Sequence, residues 1–123
     1  MIDNWPILAY KGTYRNGAMY AIGDYIKNTQ PDLVGLCEVF YASEAEAFIK
    51  YVKDTHPYSF YGPDEADIEA CGGILVLSKH PFEVKSSTIY RNYTGADGFA
   101  NKGVLHVKIQ PPGHPCPIDY FFT

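Results

Sequence analysis

Hydrophobic residues spaced three and four apart predict two helices in the first half of the chain. The first is an amphipathic helix at residues 18–28, which the following Pro31 terminates. The second is predicted at residues 44–53, where Ser43 and Glu46 have the spacing of a capping box. Both helices therefore precede most of the predicted strands.

The rest of the chain predicts β-strands. Residues 32–40 are almost continuously apolar, which is typical of a strand that is covered on both faces. Short apolar runs or alternating patterns occur in four further segments: 73–77, 83–90, 105–109 and 118–122. This order, without an internal repeat, predicts a layered α/β fold with a mixed sheet and with helices on one face.

Composition is typical of a globular protein and excludes some classes of binding partner. Of the 123 residues, 46% are hydrophobic and 20% are charged, which suits one packed domain. The formal net charge of −4 provides no broad attraction for a polyanion, so non-specific nucleic-acid binding is not expected. No apolar run approaches the roughly 20 residues that span a bilayer. The three cysteines have no C-x-x-C spacing and do not predict a zinc site.

Both ends of the chain are predicted to be cut. Residues 120–123, Tyr-Phe-Phe-Thr, lie inside a predicted core strand, whereas natural termini usually lie beyond an element. We therefore interpret residues 1–123 as a single partial domain, truncated at both ends. Such a domain is expected to expose an apolar sheet face through which it self-associates.

Glu38 is the most informative candidate for chemistry. It is a lone carboxylate near the end of the apolar segment 32–40. A buried carboxylate is costly without a cation or several hydrogen bonds, so one reading is a ligand for a hard metal ion. The other reading is a glutamate that reaches solvent at the end of the strand.

The four histidines do not predict a general base. His56, His80 and His114 lie beside or close to prolines in loops, and His106 falls on the polar face of a strand. All four are expected to be solvated.

Four segments resemble, in the right order, the motifs of the endonuclease/exonuclease/phosphatase superfamily. They are Pro-Asp-Leu-Val-Gly-Leu-Cys-Glu-Val-Phe (31–40), Gly-Gly-Ile-Leu-Val-Leu-Ser-Lys-His-Pro-Phe (72–82), Asn-Lys-Gly-Val-Leu (101–105) and Tyr-Phe-Phe-Thr (120–123). The third is similar to the strand start of the neutral and bacterial sphingomyelinase branch. The resemblance implies a DNase I-like, four-layer α/β sandwich, of which this chain is the N-terminal half.

The resemblance also implies roles for particular residues. Glu38 matches the family's magnesium ligand, and Asn4 is a candidate for the amide that completes the site, although a loop Asn is the alternative. Lys102 would bind a substrate phosphate, with Gly103 leaving room for close approach; a solvated lysine after a turn is the alternative. Asp97 would pair with Lys102 or form a turn with Gly98.

Three functions follow from these expectations. The first is a magnesium-dependent phosphodiesterase of the sphingomyelinase or phospholipase C type, which acts on a phospholipid and contacts a membrane surface peripherally. The second is a nuclease of the same superfamily, which the net charge disfavours. The third is an inactive fragment or interaction module, because the family's central Asp-x-Asn and terminal Asp-His elements are absent from the sequence.

Overall fold

The computed structural model describes residues 13–63, 72–91 and 102–123, with side chains described from Gly17 onward. Two helices and six strands follow one another along the described residues. They are α1 (Thr13–Thr29), β1 (Leu33–Leu36), α2 (Ala42–Val52), β2 (Tyr58–Gly62), β3 (Ile74–Ser78), β4 (Phe82–Ile89), β5 (Gly103–Ile109) and β6 (Ile118–Phe122).

The strands form two three-stranded sheets. In the first sheet β1 and β2 flank β3, and in the second β4 and β6 flank β5. All four described strand pairs are antiparallel. The α/β fold is confirmed, but the predicted mixed sheet is corrected to two antiparallel sheets within the described residues, where consecutive strands such as β5 and β6 pair as hairpins.

The two helices cover one face of the first sheet, as predicted. Their buried side chains meet alternate residues of β3 in one core, because successive residues of a strand point to opposite faces. This core consists of Ile26, Ala45, Phe48, Val52, Leu75 and Leu77.

The other face of β3 packs against the second sheet. The residues that alternate with the first set form a second core with β5: Ile74, Val76, Leu105 and Val107. β3 is consequently buried along its whole length. The described residues thus stack as a helix layer, the first sheet and the second sheet.

The helix boundaries differ from the prediction at their starts. α1 begins at Thr13 rather than near residue 18, and α2 begins at Ala42 rather than 44. The predicted capping box is wrong, because Ser43 lies inside α2. The residue at the N-cap is Tyr41, whose side chain makes no capping hydrogen bond.

The strand predicted at 32–40 is confirmed only as β1, Leu33–Leu36, and its predicted burial on both faces is wrong. β1 is only four residues long and is half-buried or exposed along its length. The reason is that β1 has a hydrogen-bonded neighbour, β3, on one side only among the described strands. Strand β2 was not predicted, because its sequence Tyr-Ser-Phe-Tyr-Gly contains no clear alternation.

Candidate functional site

The two sheets present the ends of several strands on one side of the molecule. In the first sheet Leu36, at the end of β1, pairs with Leu75 near the start of β3. In the second sheet Ile89, at the end of β4, pairs with Gly103 at the start of β5. The end of β6 lies there too, since Leu105 pairs with Phe122.

Contacts between the sheets show that these strand ends of the first and second sheets lie next to each other. The Cys37 thiol, which follows β1, lies 3.9 Å from the carbonyl oxygen of Thr123, which follows β6. A Cβ added to Gly103 would lie 2.7 Å from the ring of Pro63, which follows β2. We call this side the strand-end face and define it by four residues: Glu38, Tyr90, Lys102 and Thr123.

Glu38 lies on the strand-end face, two residues beyond β1. Its backbone has a φ of 63°, in the left-handed region that L residues with a Cβ rarely adopt. The next residue, Val39, is again hydrogen-bonded to the segment before β3, because its N–H donates to the Gly73 carbonyl at 2.9 Å. The side chain is exposed, so the interpretation of Glu38 as a glutamate that reaches solvent after the strand is confirmed, and the interpretation as a buried carboxylate is wrong.

The exposed Glu38 carboxylate is available to bind a ligand from solvent. Among the described residues, no hydrogen bond or ion pair engages its side chain. Residues in the left-handed region cluster at functional sites, where the surrounding structure holds them. Here Gly73 packs closely against the backbone, since an added Cβ would lie 3.3 Å from the Glu38 Cα.

Lys102 lies on the same face, directly before β5, and its side chain is exposed. Its carbonyl oxygen accepts a hydrogen bond from the Tyr90 N–H at 2.8 Å. The prediction that Gly103 leaves room for a ligand is wrong, because a Cβ there would collide with the Thr88 carbonyl and the Pro63 ring. The glycine is required by the pairing of β4 with β5.

Two further candidates lie outside the described residues: Asn4 and Asp97, together with Gly98. Within residues 13–63, 72–91 and 102–123, no group of three or more His, Cys, Asp and Glu side chains is arranged to hold a metal ion. Glu38 is therefore the one predicted metal ligand whose placement the structure describes.

His56 contradicts the prediction that all histidines are solvated. Its side chain is fully buried, where Nε2 donates to the Pro31 carbonyl at 2.8 Å and Nδ1 lies 2.9 Å from the Thr55 hydroxyl. It links the turn that follows α2 to Pro31, two residues before β1. Its role is structural, because buried polar groups need such partners.

The remaining histidines, His80, His106 and His114, are partly exposed or exposed. His80 contacts the Asp32 carboxylate at 2.7 Å, and His106 contacts the Asp119 carboxylate at 2.8 Å. The hydrogen bond from His80 lowers the pKa of Asp32, and that from His106 lowers the pKa of Asp119. His106 and Asp119 lie on the neighbouring strands β5 and β6, and Asp32 and His80 lie beside the paired ends of β1 and β3.

A described cleft lies at the opposite end of β1 from Glu38. It has a volume of about 500 Å³, and its walls include Asp32 and Leu33 at the start of β1 and residues of the β5–β6 connection such as His114. Its walls contain neither Glu38 nor Lys102. The cleft is therefore separate from the strand-end face.

The sequence did not reveal the contribution of Tyr90 and Thr123 to this face. Their hydroxyl groups are hydrogen-bonded at 2.7 Å although 33 positions separate them. Only the pairing of β4 with β5 and of β5 with β6 brings them together, so no local pattern could have identified the pair.

Comparison with known proteins gives relatives of one kind. No known family model matches the chain. The chain is 30% identical over 117 residues to sphingomyelinase C of Listeria ivanovii. This alignment covers 85% of the chain and 34% of the relative. It is 27% identical over 126 residues to phospholipase C of Staphylococcus aureus, in an alignment that covers 92% of the chain and 36% of that relative. The chain thus spans about a third of the length of these curated relatives.

Solved structures show the same fold. The crystal structure of SmcL superposes with a TM-score of 0.70 at 28% identity, over 89% of this chain and 39% of that one. Beta toxin from Staphylococcus aureus, in a structure with bound magnesium ions, has a TM-score of 0.65 at 22% identity, over 88% and 42%. At this lower identity the likeness shows the fold alone.

Proposed function

Because the chain belongs to the sphingomyelinase-like branch of the endonuclease/exonuclease/phosphatase superfamily, we propose that it supplies part of a metal-dependent phosphodiester hydrolase. The substrate class that we propose is a phospholipid with a choline-phosphate ester, as in sphingomyelinases and phospholipases C. The chain spans about a third of its curated relatives, so the proposal concerns the natural protein that carries this sequence.

One observation carries the proposal within this chain. Glu38 and Lys102 come from different sheets and from positions 64 residues apart, and both lie on the strand-end face. A carboxylate and an ammonium group on one face are the charges that a phosphodiesterase needs for a metal ion and for a phosphate.

Magnesium suits the donor chemistry of Glu38. Mg²⁺ keeps several waters and takes only one or two carboxylates from a protein. The exposed carboxylate, which no described residue engages, is available for such a contact. When bound, the ion would neutralise phosphoryl oxygens and stabilise the leaving group. Glu38 would hold it, with Asn4 as a further candidate ligand.

The other residues of the face would act on the substrate. Lys102 would place its ammonium group beside a phosphate oxygen, where it stabilises negative charge that develops in the transition state. None of the four residues that define the strand-end face is a histidine, so we assign no general base to residues 13–63, 72–91 and 102–123.

Hydrolysis by the natural protein tests the proposal. Glu38→Gln should lower Mg²⁺-dependent cleavage of sphingomyelin by about a hundredfold or more, because it removes the charge that holds the ion. Glu46→Gln is the matched control, since Glu46 is an exposed carboxylate on α2. Equal activity of the two variants would reject the assignment of Glu38.

The assay also separates the alternative functions. Cleavage of DNA or RNA with no cleavage of sphingomyelin would identify a nuclease, against the expectation from the net charge of −4. No Mg²⁺-dependent hydrolysis of either substrate would identify an inactive interaction module.

We also propose two contacts outside the active site. A phospholipid substrate would bring the protein to a membrane surface; no helix among the described residues is long and apolar enough to span a bilayer. The second contact is self-association through β6, which has one described neighbour and whose Phe121 side chain is 65% exposed. Sedimentation of the chain tests this contact, and a monomer at high concentration would reject it.

A further inference from the structure

Tyr90 connects three strands at the strand-end face. It directly follows β4, and its N–H donates to the carbonyl oxygen of Lys102, which directly precedes β5. Its hydroxyl is hydrogen-bonded to the Thr123 hydroxyl at 2.7 Å, directly after β6. One residue therefore fixes the positions at which β4, β5 and β6 reach this face.

The contacts of Tyr90 continue from the second sheet to the first. The carbonyl oxygen of Thr123 accepts from the Cys37 thiol at 3.9 Å, and Cys37 directly precedes Glu38. A series of contacts thus links Glu38 to Lys102 through Cys37, Thr123 and Tyr90. It joins the two sheets at the place where the proposed metal ligand and phosphate-binding lysine lie.

We propose that the Tyr90 hydroxyl is a positioning group that fixes the separation between Glu38 and Lys102. This inference rests on the proposed function, since it assigns Tyr90 to the same site. Tyr90 acts through Thr123 and touches neither the metal ion nor the reacting atoms. Its effect arises because small displacements of charged groups from their working geometry slow a reaction strongly.

The hydroxyl rather than the ring carries this role. The Tyr90 side chain is 45% exposed, so its ring contributes little to either core. Tyr90→Phe removes the hydroxyl and keeps both the ring and the N–H that bonds to Lys102. Thr123→Val removes the other partner of the same hydrogen bond at nearly constant volume.

Two-dimensional amide NMR spectra of the chain test the link directly. Tyr90→Phe and Thr123→Val should each shift the amide signals of Glu38 and Gly103, and the double variant should give the same shifts as either single one. Tyr25→Phe is the matched control, because Tyr25 is a 69% exposed tyrosine on α1. Unchanged Glu38 and Gly103 signals in Tyr90→Phe would overturn the inference, whatever the activity.

Kinetics of the natural protein provide the second readout. Tyr90→Phe should lower kcat about tenfold while KM changes less than about twofold, because the substrate still binds but the two charges lose their working separation. An equal kcat for Tyr90→Phe and Tyr25→Phe would overturn the inference. If the NMR coupling is present but neither wild type nor Glu38→Gln hydrolyses sphingomyelin, the link stands and the proposed function fails.

Discussion

Glu38 combines an unfavourable backbone conformation with a side chain that makes no hydrogen bond or ion pair to a described residue. A φ of 63° costs a residue with a Cβ about 1 kcal/mol or more relative to glycine. The exposed carboxylate makes no hydrogen bond or ion pair within the described residues that would offset this cost. A glutamate at this position therefore lowers stability, which fits a residue that serves function.

This conflict predicts an unusual order of stabilities at position 38. Glu38→Gly should be about 1 kcal/mol more stable than Glu38→Ala in urea unfolding, because glycine adopts positive φ without a steric cost. At Glu46 in α2 the order should reverse, since glycine disfavours a helix by about 1 kcal/mol relative to alanine. If alanine were the more stable residue at position 38 as well, the left-handed conformation would be refuted.

At the scale of elements, the ends of β1 and β6 meet through Gly35 and Phe122. A Cβ on Gly35 would collide with the Phe122 ring, so this glycine allows the two edge strands to approach. The contact belongs to the packing between the sheets, since Phe122 packs against the second core. It holds the segment that leads to Glu38 against the second sheet.

Gly35→Ala should therefore destabilise the fold by about 1–3 kcal/mol, because overpacking forces the ring or the strand to move. Gly17→Ala is the control, since nothing lies within 4 Å of a Cβ at Gly17 and alanine favours the helix by about 1 kcal/mol. Midpoints of urea unfolding measure both changes. A neutral Gly35→Ala variant would show that the strands are not in contact.

The pairing of β5 with β6 predicts a pH dependence. The hydrogen bond from His106 lowers the pKa of Asp119 in the folded state. The stability from this carboxylate is therefore present above the unfolded pKa of about 3.9 and is lost as pH falls through the lower folded value.

Urea unfolding between pH 6 and pH 3 tests this sign. Wild type should lose stability toward acid, and Asp119→Asn should lose less over the same range, because the amide does not titrate. Asp54→Asn, at an exposed position after α2, should behave as wild type. Parallel curves for wild type and Asp119→Asn would contradict the prediction.

For the whole molecule, the sequence predicted the class of fold but not the environment of its key residues. The helices and the strands β3, β4, β5 and β6 were predictable because the hydrophobic pattern reports burial locally. For Glu38 the sequence left burial and exposure open, since the position of β1 at the edge of its sheet within the described residues decides between them. The burial of His56 was not predicted, because its hydrogen-bond partner Pro31 lies 25 positions away along the chain.

The central claim is that Glu38 holds a divalent cation on the strand-end face, and paramagnetic Mn²⁺ in place of Mg²⁺ tests it most directly. In amide NMR spectra of the chain, low Mn²⁺ concentrations should first broaden the signals of Glu38, Val39 and Gly73, and Glu38→Gln should abolish this broadening. Broadening centred instead on Asp32 or Asp119, unchanged in Glu38→Gln, would contradict the account.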